Sequence, residues 1–169
     1  LFSNEVLVSS VLSDTKKNII IVPGASHSSK RYSPEKFANI TQQIDANFII
    51  IWGNNEEKVL ANKIQKLSSS IKICDKLSLD GLVSLFSQVD LVIGSDTGPT
   101  HIAWALNIPS IILFGPTPGY RNTFPNNENI IESNSKVNPN KINKNDYSIN
   151  DINVNDIIKM ANELLKTKK

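Results

Sequence analysis

Short apolar runs recur along this 169-residue chain, each followed by a segment of helical period. NIIIV (18–22) is rich in β-branched residues, long enough for a buried strand and too short for a helix. NFIIIW (47–52), IKI (71–73), VDLVI (89–93) and PSIILF (109–114) repeat the pattern. Between the first two runs, Phe37, Ile40 and Ile44 fall at helical spacing, with Ser33 as N-cap and Pro34 in the first turn. A second helix is expected over 56–67, a third from Ser78 through Leu79, Leu82, Val83 and Phe86, and a short fourth over 100–106. The strands are apolar throughout rather than alternating, so both sheet faces must be covered. The expected fold class is α/β, a doubly wound, Rossmann-like parallel sheet.

After Phe114 the rhythm thins. Residues 122–155 hold twelve asparagines and read as loop, with a short strand at 129–131. The asparagine and lysine excess reads as codon bias rather than a polar binding tract. An amphipathic helix through Ile157, Ile158, Ala161, Leu164 and Leu165 follows, capped by Asn155 or a neighbour and ending in KTKK. Residues 1–17 show no clear period and read as an inter-domain connector, leaving 18–169 as one domain. Leu1 opens the chain and Met160 is its only methionine, which points to a piece of a longer polypeptide.

Composition removes several classes of function. A net charge of +2 gives no field for nucleic acid, and the single Cys74 excludes a disulfide framework and fits a reducing compartment. No apolar stretch nears the roughly 20 residues of a membrane span, and no signal peptide is visible. The expected setting is cytoplasmic.

Three loops at the carboxyl ends of the expected strands carry the chemistry. GSDTGPTH (94–101) joins a strand to a helix, where free amides and the helix dipole favour an anion. Gly94 and Gly98 would let the backbone turn sharply, Pro99 suits a helix start, and the Thr97 and Thr100 hydroxyls could add donors. The same D-T-G is an aspartic-protease signature, but that chemistry needs an all-β fold and a second copy, and neither is present. An ordinary capped turn is the other reading. GASHSSKRYSPEKF (24–37) places Lys30 and Arg31 before a capped helix, as a pyrophosphate clamp or as a solvated basic loop. Its glycines fit neither the Walker nor the dinucleotide pattern. WGNNEEKVLA (52–61) puts Glu56 and Glu57 at a helix start, where they either favour the dipole or hold ribose hydroxyls.

Taken together, residues 18–118 resemble the C-terminal half of the ADP-heptose:lipopolysaccharide heptosyltransferases, which are GT-B glycosyltransferases. SDTGPTHIAWALNIPSIILFGPT is the strongest segment, and WGxxxE followed by KLSLDGL leans toward the heptosyltransferase I branch. The resemblance implies metal-independent transfer of heptose from ADP-heptose to the lipopolysaccharide inner core, with no cofactor beyond the donor. It implies that Lys30 contacts the donor diphosphate with Ser26 beside it, Ala25 standing where many relatives have a hydroxyl. Thr97, Gly98 and His101 would surround the diphosphate, Asp96 the donor sugar, Glu57 the ribose and Leu77 the adenine. The catalytic base and most of the lipid A–Kdo acceptor site would lie in an N-terminal half, so this chain would bind donor without transferring it. No Asp-x-Asp pair is present, so no metal site is expected. Peripheral contact with the inner membrane is a further implication. A UDP-sugar glycosyltransferase or epimerase of the same architecture, and a non-enzymatic nucleotide-binding domain, are the alternatives.

Overall fold

The computed structural model describes residues 4–121 and 129–167. Its centre is a six-stranded sheet in the order β3-β2-β1-β4-β5-β6. The strands are β1 (Asn18–Val22), β2 (Asn47–Ile50), β3 (Lys72–Ile73), β4 (Leu91–Ser95), β5 (Ser110–Phe114) and β6 (Ile130–Glu132). Every pairing is parallel. The helices are α1 (Asn4–Val11), α2 (Pro34–Gln43), α3 (Asn55–Leu67), α4 (Leu79–Phe86), α5 (Gly98–Ala105) and α6 (Val154–Thr167).

Apolar runs become central strands because successive side chains point to opposite faces and both faces are covered. Ile19, Ile21, Phe48, Ile50, Leu91 and Ile93 pack with Phe37 and Ile40 of α2, Ile64 of α3 and Ile157 of α6. Ile20, Val22, Ile49 and Val92 face the other way, onto Val8 of α1, Leu85 and Phe86 of α4 and Ala103 of α5. Local chemistry starts the helices where expected. Ser33 accepts from Lys36 N–H at 3.4 Å, and Ser78 from Gly81 N–H at 3.2 Å. Asn54, which the sequence reading passed over, caps α3 by accepting from Glu57 N–H at 3.0 Å. Asn153 receives the Asn155 amide at 2.9 Å at the start of α6.

Three expectations change. Residues 4–11, read as aperiodic, form a helix with Val8 and Val11 buried. Its end is held from afar, since Asn47 Nδ2 donates to Val11 O at 2.8 Å and Lys72 Nζ to the same carbonyl at 3.1 Å. β2 stops at Ile50, so Trp52 leaves the sheet and donates its indole N–H to Cys74 O at 2.8 Å. β4 runs on through Ser95 and α5 begins at Gly98, so the polar turn is tighter than read.

Gly94 and Gly98 are not turn glycines, since among the described residues no glycine has a positive φ. At Gly94 the constraint is room: an added Cβ would lie 2.7 Å from Val22 Cβ and 3.0 Å from Val22 O. It lets β4 sit against β1 under α5. The same Cβ at Gly98 would meet nothing within 4 Å.

The strand order sets the place of any site. The chain runs outward from β1 through β2 to β3, then returns to lay β4 on the other side of β1. At this switch point the loops leaving β1 and β4 diverge to opposite faces and open a crevice at their carboxyl ends. Gly94→Ala should cost about 1–3 kcal/mol of stability through overpacking. Denaturant melts that leave Gly94→Ala as stable as the parent chain would contradict this packing.

Candidate functional site

A cleft of about 400 Å³ occupies this crevice, above the carboxyl ends of β1, β2 and β4. Gly24, Ala25 and Ser26 from the loop after β1 and Asp96, Thr97 and Gly98 from the turn after β4 form one side. Val22, Ile51, Trp52, Leu77 and Leu82 make the apolar lining, and Asn54 and Glu57 add polar groups from the start of α3. An apolar slot with a few polar groups set into it is the usual form of a small-molecule site.

The two loops are joined by a buried charge cluster. Lys30 Nζ lies 2.6 Å from Asp96 O and 3.1 Å from Asp96 Oδ2, and both residues are buried. The other carboxylate oxygen, Oδ1, lies 2.9 Å from His101 Nε2. His101 stands one helical turn into α5, half-exposed, with its ring 4.9 Å from that of Trp104. An ammonium has three N–H donors, so two on Asp96 leave one for another acceptor.

Thr100 is fully buried, its hydroxyl accepting from Thr97 N–H at 3.1 Å and lying 2.9 Å from Ser95 O. It locks the turn and is no donor to a ligand, contrary to the sequence expectation. What faces outward at this helix start is Gly98, with open space beside its Cα.

The two glutamates of α3 separate. Glu57 Oε2 accepts from Gly53 N–H at 2.6 Å, and its carboxyl lies so close to Gly24 that a Cβ there would collide with it. Glu57 therefore bridges the ends of β1 and β2 inside the cleft. Glu56 points away, 75% exposed, and pairs with Arg31 Nη2 at 3.0 Å. Arg31 also donates from Nε to Ala25 O at 3.2 Å, so it braces the loop rather than standing free as a clamp.

Of the residues predicted for a site, Ser26, Glu57, Leu77, Asp96, Thr97 and Gly98 line the cleft, whereas Lys30 and His101 do not. Those two reach it through Asp96. Sequence reasoning missed Trp52, Asn54 and Leu82 as lining residues. Trp52 lay within a quoted motif, but only its exit from the strand shows that its ring joins the wall. Lys58 Nζ stands 4.6 Å from that ring, a cation–π contact. Among the described residues, no group of three or more His, Cys, Asp or Glu side chains gathers as a metal site.

A parallel sheet in this order, with its cleft at the switch point, places the domain in the Rossmann-like α/β class. The chain matches the model of Glycosyltransferase family 9 (heptosyltransferase) over residues 6–150, and it belongs to that family. Lipopolysaccharide heptosyltransferase 1 of Campylobacter coli is 41% identical over 136 residues, which is 75% of this chain and 40% of that relative. This chain thus spans under half of that relative's length. Among solved structures, E. coli ADP-heptose lipopolysaccharide heptosyltransferase II aligns at TM-score 0.76 and 21% identity, over 99% of this chain and 54% of that one. E. coli heptosyltransferase WaaC, solved with ADP, aligns at TM-score 0.73 and 18% identity, over 95% of this chain and 48% of that one.

Two outcomes follow from these contacts. Asp96→Asn leaves the Lys30 charge buried against a neutral partner and should cost about 3 kcal/mol. An unchanged urea midpoint would contradict the pairing. Burial first, and the charge of Asp75 second, push the Cys74 thiol from its ordinary value of 9.0 up to about 11. A pKa raised on folding contributes stability below the unfolded value that is lost as pH climbs through the folded one. Stability should therefore fall between about pH 9 and 11, and Cys74→Ala should flatten part of that slope. Tyr32, also raised by burial and then by Asp156, accounts for a further part of the loss at the alkaline end.

Proposed function

We propose that this chain is the donor-binding domain of a heptosyltransferase that moves heptose from ADP-heptose onto the inner core of lipopolysaccharide without a metal. One observation carries the reading: an apolar slot, the Glu57 carboxylate and a helix start meet in one cleft at the switch point. The names of the relatives, and the WaaC structures solved with ADP and with ADP-2-deoxy-2-fluoro heptose, support the choice of donor.

In this reading the adenine lies along Leu77, Trp52 and Leu82, and the ribose hydroxyls donate to Glu57. The diphosphate meets Ser26, Thr97 and the exposed backbone at Gly98, at the positive end of α5. Lys30 and His101 reach the same region through Asp96, which flanks the sugar side. When the anomeric C–O bond breaks, negative charge grows on the departing diphosphate. Fixed donors already aimed there stabilise that charge without reorganising. A base must still take the acceptor's proton. We assign it, with the lipid A–Kdo acceptor site, to the part of the relatives that this chain does not span. Such a reaction belongs at the cytoplasmic face of the inner membrane; no described helix is long and apolar enough to cross a membrane.

The test is calorimetric titration of the chain with ADP, UDP and GDP in EDTA, beside Gly98→Ala. The parent should prefer ADP. Gly98→Ala has room for its methyl in the free protein, so its melting temperature should hold while ADP binding weakens about tenfold. Preference for UDP would overturn the donor assignment, and loss of binding in EDTA the metal independence. A second expectation is that the chain binds ADP yet transfers no heptose. Turnover with donor and a lipid A–Kdo acceptor would refute the assignment of the base to another domain.

A further inference from the structure

We infer that residues 147–152, the end of the asparagine-rich segment, form a brace that positions Lys30 beneath the cleft, with Asn150 as its central positioning residue. The inference rests on the donor-binding reading above for what Lys30 does, and on the following contacts for how it is held.

The loop after β1 has little structure of its own. Ser28–Lys30 make a single 3₁₀ turn, with Lys30 N–H on His27 O and Arg31 N–H on Ser28 O, each at 3.0 Å. One such turn is a weak element. Yet Ser29 and Lys30 within it are buried, and the Lys30 ammonium meets a carbonyl on another strand's loop. Something outside the loop must fix its backbone.

The 3₁₀ turn Ser148–Asp151 and its flanks supply that support. Tyr147 Oη and Ser28 Oγ are 3.0 Å apart, at the loop's near end. At its far end, Asn150 Oδ1 accepts the Ser33 N–H at 2.8 Å. Tyr32 Oη donates to Ile152 O at 2.9 Å, its ring buried edge-on to Phe37. Lys36 Nζ donates to the Asn150 and Ile152 carbonyls. Only residues 29–31 lie between these pins, and Lys30 is the middle one.

The brace is itself fixed to the sheet. Ile149 is fully buried, and a Cβ on Gly115 would lie 2.6 Å from Ile149 Cβ, so the turn presses on the backbone just beyond β5. Ser148 Oγ and Ser133 Oγ, the latter just after β6, are 2.8 Å apart. The far side of the sheet thereby sets the position of a loop on β1.

The experiment compares Asn150→Ala and Asn150→Asp with the parent by amide hydrogen exchange and by ADP titration. Asn150→Ala removes the acceptor for Ser33 N–H, and should raise exchange at the Lys30 and Arg31 amides about five- to tenfold. Exchange in β1 and β4 should stay unchanged, and ADP affinity should fall by a similar factor. Asn150→Asp keeps an acceptor oxygen and should restore both readouts. Unchanged exchange at residues 30 and 31 would overturn the inference. So would a rise shared equally by β1 and β4, which would mean a general loss of stability. If the parent chain fails to bind ADP, the donor reading falls, and the exchange pattern alone decides the brace.

Discussion

Burying a lysine is costly unless its charge is paired and its donors are filled. In this chain that condition ties together two loops that the sheet alone would leave apart. Lys30 comes from the loop after β1 and Asp96 from the turn after β4, at the point where the chain switches direction. The ammonium takes both the backbone carbonyl and one carboxylate oxygen of Asp96, and His101 takes the other. A shift of either loop by more than a fraction of an ångström would strand a buried charge. The cleft between them is therefore bordered by two loops that this pair ties to each other.

The glycines divide between those the fold hems in and one that stands in open space. Gly94 is hemmed in by Val22, backbone included, and by Thr100, so it is required by the free protein, whereas a Cβ at Gly24 would meet only the flexible Glu57 side chain. Gly98 has nothing near it. A small residue in open space at a helix start serves no packing purpose, and in the proposed reading it leaves room for a ligand to approach the backbone.

Much of the sheet was legible because its signals are local. Each of 18–22, 47–50 and 110–114 is an apolar run, and Ser33 and Ser78 stand where caps must. What was not legible depends on distant partners. The eight residues of α1 carry Ser9 and Ser10 on their outer face and are completed by side chains of Asn47 and Lys72. The choice between Glu56 and Glu57 could not be made from a helix start that suits both. It follows from Gly53 and Gly24, which receive one carboxylate and not the other. Lys30 was singled out as a clamp, but its hold on Asp96 is invisible until β1 and β4 are neighbours. The asparagine-rich stretch read as compositional bias, because the bond that gives Asn150 its place reaches back 117 residues to Ser33.

The charge balance of the cleft bears on how it could hold an anion at all. Glu57 and Asp96 both carry carboxylates into it, Arg31 is engaged by Glu56, and Lys30 is largely committed to Asp96. A net charge of +2 over the whole chain supplies no attractive field to compensate. In the proposed reading, a diphosphate here would meet short-range, oriented groups: amides at the start of α5, the Ser26 hydroxyl, and Thr97 where it lines the cleft. Groups of that kind discriminate by geometry and are screened little by salt, because they act at contact distance within a partly dry cleft. On the proposed function, the polarity needed as the sugar departs would come from the backbone, which the buried Lys30–Asp96 pair keeps in place.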